Sequence, residues 1–165
     1  MSLFSKKKQF FTEEEKKLIV EANEAKTKFI ASDGLLQGIF DKAYAWVIFP
    51  NVGKGAIGVG GAAGNGIVYS GGVPIGSAKL KQVSIGFQFG GQAYREVIFF
   101  ENKEMLDRFM QDKFEFSAQA SAVAVTVGAS ADVKYKDGVM IFTQEKGGLM
   151  YEASIGGQKF DYSSF

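Results

Sequence analysis

Residues 57–72 restrict the fold of this chain more than any other segment, because seven of these sixteen positions are glycine. Residues 58–63 match the spacing of a dinucleotide-binding fingerprint, which works only where a helix follows the glycines. Here residues 66–70 are β-branched and aromatic and lead into another glycine pair, so no helix begins there. No Gly-Lys-Ser/Thr sequence follows a glycine run, which excludes a P-loop. We therefore predict glycine-rich strands around 55–60 and 66–70.

Two roles are open to these glycines. A sheet face made of Gly and Ala lets another element approach closely and permits tight bends, whereas bare backbone also offers contacts to a ligand. We predict the structural role for eight glycines: Gly55, Gly58, Gly60, Gly61, Gly64, Gly66, Gly86 and Gly90.

Apolar residues at helical spacing predict three helices. Thr12 and Glu15 have the spacing of a capping box, which predicts a helix over residues 13–31. Asp33 is predicted to cap a short second helix, and a third helix is predicted over residues 102–112.

Strands account for most of the remaining chain. Pro50 is predicted to end the first strand, and short glycine-containing links at 136–138, 146–148 and 156–157 predict hairpins. Besides the two glycine-rich strands, the predicted strands are 45–49, 78–89, 93–100, 116–127, 131–135, 138–143, 148–155 and 158–162. The predicted fold is α+β: a curved antiparallel β-sheet or partial barrel with an N-terminal helical segment and one inserted helix.

The 165 residues are predicted to form one globular unit, since 46% of them are hydrophobic. Residues 1–11 are predicted to be a basic and aromatic lead-in, and residues 12–165 a single domain. The sequence contains no run of 18 apolar residues, so it predicts no transmembrane helix. The first lysines are not followed by an apolar segment of the kind that a signal peptide has.

Composition excludes several classes of function. The chain has no cysteine and no histidine, which removes thiolate metal sites and the commonest general base. The net charge is +1 and there are only two arginines, so we predict no nucleic-acid partner. No carboxylate, lysine or tyrosine is paired with a nucleophile in any motif, which predicts a non-enzymatic protein without a metal or other cofactor.

Two groups of lysines are candidates for binding an anionic membrane surface. The first combines a basic cluster with two aromatic residues that are suited to insert at a membrane interface: Lys6, Lys7, Lys8, Phe10 and Phe11. In the second, Lys79 and Lys81 alternate along one face of a strand, and Lys54 joins them if its strand lies alongside. The alternatives are a solvated N-terminus whose two phenylalanines staple the first helix, and a solvated strand edge.

The order of several glycine and apolar motifs resembles the SYLF (Ysc84-like) lipid-binding domain family. The resemblance begins near residue 20 and reaches the end of the chain. The segments that carry it are residues 45–50, 55–61, 64–66, 83–92, 114–124 and 147–151. The chain departs from many relatives at residues 73–78, where a tryptophan is absent.

This resemblance implies a non-enzymatic domain that binds phosphoinositides or other anionic membrane lipids. The alternative that it implies is a protein-interaction or scaffolding domain, because some relatives bind cytoskeletal filaments. With no attached module in the sequence, the chain looks like a stand-alone bacterial member. That likeness implies a location in the bacterial cell envelope or periplasm after removal of a leader, or else at the cytoplasmic membrane surface.

Overall fold

The computed structural model describes residues 10–55, 58–82, 93–116, 120–146 and 152–165. The three helices are α1 (Glu13–Ser32), α2 (Leu36–Lys42) and α3 (Lys103–Met110). The strands are β1 (Ala45–Gly55), β2 (Gly58–Ser70), β3 (Val73–Gln82), β4 (Tyr94–Phe100), β5 (Ser121–Ala124), β6 (Val139–Glu145), β7 (Glu152–Ser154) and β8 (Lys159–Ser164).

All eight strands belong to one sheet, in the order β7-β5-β6-β4-β1-β2-β3-β8. The pairs are antiparallel except for β5 and β6, which run parallel. Two helices precede the sheet in the chain, and α3 is inserted between β4 and β5. The predicted α+β class, with an N-terminal helical segment and one inserted helix, is confirmed.

The sheet has an apolar core on each side, because successive side chains of a strand point to opposite faces. The side that we call the α1 face is covered by α1 and α2, and its core includes Trp46, Ile48 and Phe99. The opposite side, the α3 face, carries α3 and includes Val47, Phe49 and Phe100. Every residue of β4 is buried, since both faces of this central strand are covered.

Helix α1 begins at the predicted capping box. The hydroxyl oxygen of Thr12 accepts a hydrogen bond from the Glu15 backbone N–H, and the Glu15 carboxylate accepts one from the Thr12 backbone N–H. The helix buries Ala22, Ala25 and Phe29 against the sheet. Full burial of a phenylalanine side chain contributes about 1.5–3 kcal/mol, so packing as well as capping holds α1 in place.

Asp33 does not cap α2, contrary to the prediction. The N-cap position of α2 is Leu35, which makes no side-chain capping bond. The Asp33 carboxylate instead accepts hydrogen bonds from the backbone N–H groups of Leu35, at 3.1 Å, and of Ser130, at 2.8 Å. It thereby joins the end of α1 to a loop that lies 97 residues further along the chain.

Pro50 does not end β1, which continues to Gly55. Between the pairs Ile48–Ile67 and Gly53–Ala63, four residues of β1 lie opposite three of β2. This is a β-bulge, a place where proline is tolerated because the ladder is already interrupted. The residues at its centre are Pro50 and Asn51, which lie opposite Arg95 of β4.

Gly64 and Gly66 lie where β2 meets this bulge. A Cβ atom on Gly64 would lie 2.7 Å from the carbonyl oxygen of Asn51. A Cβ on Gly66 would lie 2.5 Å from the carbonyl oxygen of Ile48 and 2.6 Å from the ring of Phe49. The other predicted structural glycines lie outside the description of side-chain surroundings, so their role stays a prediction.

Three further differences concern the extent and pairing of strands. The two glycine-rich strands are joined in β2 as far as the described residues show, and residues 131–135 form a turn followed by an irregular segment rather than a strand. The link at 156–157 is not a hairpin, because β7 pairs with β5 while β8 pairs with β3.

No helix within the described ranges is long and apolar enough to cross a lipid bilayer.

Candidate functional site: a cationic groove along α1

A groove runs between α1 and the strands on the α1 face. It consists of two adjoining pockets of about 320 and 160 Å³, which share Glu21, Pro50 and Asn51. We call the whole feature the α1 groove. Because the bulge in β1 lies at the junction of the two pockets, the local break in strand pairing shapes the middle of the groove.

The larger pocket contains the lysines that alternate along β3. Lys79 lies opposite Asn65 of β2, and Lys81 opposite Ala63, so both belong to the α1 face. Both lysines are exposed, and Leu18 of α1 lines the other side of the pocket. The structure thus brings Lys79 and Lys81 together with the backbone of the glycine-rich strand.

Lys54 occupies a different row of the sheet. It lies opposite Ala62, which in turn lies opposite Gln82, and this row alternates with the row of Lys81. The side chain of Lys54 lies outside the description. The expectation that Lys54 joins Lys79 and Lys81 therefore stays a prediction.

The aromatic part of the N-terminal candidate is divided. Phe10 is 87% exposed, whereas the ring of Phe11 packs edge-on against Phe165 at a centroid distance of 4.9 Å. Their role in membrane binding stays a prediction. Lys6, Lys7 and Lys8 lie outside the described residues.

The smaller pocket contains three cations that sequence reasoning did not select: Lys28 of α1, Arg95 of β4 and Lys146 after β6. Any two of them are 51 or more residues apart in the chain, so sequence spacing does not connect them. Only the fold brings them to one pocket. A signal was available in Arg95, one of only two arginines, because it stands beside Glu96 in a strand whose other residues are apolar or aromatic. An arginine in such a strand needs a polar partner or a route to solvent.

The environment of Lys146 reflects the concentration of positive charge. Its Nζ atom lies 3.2 Å from Oδ1 of Asn51. Burial lowers the pKa of Lys146, and the charges of Arg95 and Lys28 lower it further, against an opposing effect of Glu21. Neither of the two ion pairs in the described part of the chain lies in the groove. The arrangement is therefore suited to receive an anion.

A second polar cluster lies on the α3 face, away from the groove. The Nε2 atom of Gln158 lies 2.9 Å from Oε1 of Glu96, 3.2 Å from Oε1 of Gln82 and 3.4 Å from the hydroxyl of Tyr94. Burial raises the pKa of Glu96 to about 8, although the hydrogen bond from Gln158 acts in the opposite direction. Glu96 therefore carries a proton at neutral pH, and Oε2 of this side chain has no hydrogen-bond partner.

Neither polar region resembles a metal centre. Within the described ranges, no group of three or more Asp or Glu residues is placed to hold a metal ion. The α1 groove instead combines cationic side chains and amide groups with the carboxylates of Glu21 and Glu24. The cations and amides can bind anions or polar surfaces, and none of the lining groups is arranged as a nucleophile beside a base.

The profile of a known family matches slightly more than half of the chain, over residues 81–163. Its description is "Ysc84: Las17-binding protein actin regulator". The chain belongs to the Ysc84 family. Because the matched region runs from β3 to β8, it contains Arg95 and Lys146 of the groove. The predicted resemblance is thereby confirmed, and the family description supports a binding domain.

A curated relative is similar over the same proportion of the chain. This protein, beta cell expansion factor A from Aeromonas veronii, is 30% identical over 82 residues. The aligned region covers 50% of this chain and 31% of the relative. The chain thus spans about a third of the length of the curated protein that it matches.

Proposed function

We propose that this member of the Ysc84 family is a non-enzymatic domain that binds anionic membrane lipids, phosphoinositides among them, through the α1 groove. The observation that carries the proposal is the line of cations along that groove. Lys79 and Lys81 border one end, and Lys28, Arg95 and Lys146 border the other. Anionic headgroups contribute about 1 kcal/mol for each lysine or arginine held near a charged membrane surface.

The shape of the groove supports this proposal. Its floor crosses β3, β2, β1 and β4 on the α1 face, so the sheet places the cations of these strands along one surface. Leu18 adds apolar contact area to the larger pocket. Phe10, which is 87% exposed, and the neighbouring Lys6, Lys7 and Lys8 extend the proposed contact to the lipid interface.

Vesicle co-sedimentation tests the proposal. The protein should bind vesicles of phosphatidylcholine with phosphatidylserine, should not bind phosphatidylcholine alone, and should dissociate as salt rises. The double variant Lys79→Gln/Lys81→Gln should lose about 2 kcal/mol of binding free energy, which is roughly 30-fold in affinity. The matched control, Lys113→Gln/Lys134→Gln, removes the same charge from exposed positions outside the groove. Binding that is indifferent to salt and to both double variants contradicts the proposal.

A second candidate function is a protein-interaction or scaffolding role, including binding to actin filaments. The family description, which names a Las17-binding protein and actin regulator, favours this candidate. Co-sedimentation with actin filaments in the absence of lipid tests it directly. Filament binding that persists in Lys79→Gln/Lys81→Gln, together with no binding to anionic vesicles, would support the protein partner over the membrane.

A further inference from the structure

The smaller pocket of the α1 groove holds its arginine in a fixed orientation. Arg95 is only 9% exposed, and its Nη1 atom donates a hydrogen bond to Oε1 of Gln144 at 2.9 Å. The Nε2 atom of Gln144 in turn donates to the hydroxyl of Ser32 at 2.6 Å. This chain of two bonds positions the guanidinium at the pocket wall. A guanidinium has five N–H donors, so most of its hydrogen-bonding capacity is left for a ligand.

The two lysines complete a three-sided cationic pocket. Lys28 approaches from α1, Lys146 from the end of β6, and Arg95 from the floor. Lys146 is held near the bulge by its contact with Asn51. The acidic residues Glu21 and Glu24 also line the pocket, but neither forms an ion pair with these cations among the described residues. Arg95 and Lys28 repel the charge of Lys146, an effect that Glu21 opposes, and a bound anion reduces that repulsion.

We infer that Lys28, Arg95 and Lys146 form a binding site for a phosphate group. The planar fork of Arg95 suits two oxygens of a tetrahedral anion, while the lysines act as point charges on the remaining oxygens. A phosphate monoester carries between one and a half and two negative charges at neutral pH, about twice that of a diester or a carboxylate. The pocket therefore favours a monoester over a singly charged anion. The source of the phosphate is either a lipid headgroup or a soluble molecule, and only this part of the inference rests on the proposed function.

Titration with inorganic phosphate tests the site without a membrane. Chemical shifts of the Lys and Arg side chains, followed at constant ionic strength against chloride, should show saturable binding. The variant Lys28→Gln/Lys146→Gln should weaken phosphate binding by about tenfold or more, because two charge-assisted contacts are lost. The control Lys113→Gln/Lys134→Gln should bind phosphate as the unmodified protein does.

Two further measurements separate a binding role from a structural one. Glu21→Gln removes an opposing charge from the pocket, so phosphate affinity should rise, a change that a loss of packing does not produce. Bound phosphate should also raise the pKa of the Lys146 ammonium, because a nearby anion favours the charged form. The inference is overturned if phosphate fails to bind, or if both double variants weaken its binding equally.

Vesicles identify the source of the phosphate. Vesicles with phosphatidic acid, a monoester, should bind more tightly than vesicles of equal surface charge with phosphatidylglycerol, a diester. Lys28→Gln/Lys146→Gln should remove that preference. If inorganic phosphate binds but neither vesicle does, the site stands for a soluble phosphate and the proposed membrane function fails. If both vesicles bind equally and phosphate does not bind, the membrane function stands and the phosphate site fails.

Discussion

Arg95 and Glu96 are neighbours in β4, but their side chains face opposite sides of the sheet and have different surroundings. On the α1 face, Arg95 borders a groove whose other charged residues are exposed or partly exposed. On the α3 face, Glu96 is fully buried beside uncharged Gln158 and Tyr94. Burial lowers the pKa of Arg95 and raises that of Glu96 to about 8.

The comparison shows how one strand serves two environments. Arginine stays charged even when it is largely buried, so the α1 face keeps a cation where a ligand can reach it. A buried carboxyl without a cationic partner binds a proton instead, which lets the α3 face enclose it in a core without a net charge. The α1 face is thus suited to binding, and the α3 face to holding the sheet together.

The largest expected effect is on the α3 face, where Gly66 of β2 packs against β1. In Gly66→Val, the new Cβ would meet the Ile48 carbonyl oxygen at 2.5 Å and the Phe49 ring at 2.6 Å. Backbone cannot move aside as a flexible side chain can, so we expect a loss of about 3 kcal/mol or more, or failure to fold. Gly53→Val is the matched control, because a Cβ there meets nothing within 4 Å.

Thermal unfolding followed by circular dichroism measures both variants. A Gly66→Val protein with the stability of Gly53→Val contradicts the close packing of Phe49 over β2. It would also mean that this part of the sheet is not packed more tightly on the α3 face than on the α1 face.

The second effect is the pH dependence of stability caused by Glu96. The unfolded carboxyl loses its proton near the ordinary pKa of 4.5, whereas the folded one keeps it to about pH 8. Between these values the folded state binds more protons, so the free energy of unfolding should decrease as pH rises, by up to about 1.4 kcal/mol per pH unit. Glu96→Gln should abolish this contribution, since the amide does not titrate.

Urea unfolding measured from pH 5 to pH 9 provides the test. Glu24→Gln is the matched control, because it removes an exposed carboxylate on the α1 face, away from the cluster around Glu96. An equal slope in the unmodified protein and in Glu96→Gln would show that the pKa of Glu96 is not raised by folding.

The smallest effect concerns a cation on the α1 face whose role is packing. The Nζ atom of Lys26 lies 5.1 Å from the ring centre of Phe40 and 5.2 Å from that of Trp46. Lys26→Gln should therefore lower the free energy of unfolding by about 0.5–1 kcal/mol. Lys17→Gln removes an exposed lysine from the same helix and is expected to change stability by less. Equal unfolding curves for the two variants would leave the cation–π contact without a stabilising role.

Local patterns were sufficient to predict much of the secondary structure. The capping box at Thr12 and Glu15 joins residues three positions apart, and such interactions act within the first turn of a helix whatever surrounds it. The same holds for alternation along β3, which places Lys79 and Lys81 on one face. Pro50 misled the prediction because the tolerance of a strand for proline depends on pairing with its neighbours, which a single segment does not contain.

The sequence by itself determined the α+β class, the start of α1, the family and the shared face of two lysines on β3, because these depend on neighbours within a few residues or on the order of motifs. Only the tertiary structure decided the bulge opposite Arg95, the bond between Asp33 and Ser130, and the meeting of Lys28 with Lys146. Each of these joins residues from separate elements. Strand register and helix packing decide such contacts, and both are set by burial over the whole sheet rather than by any one segment.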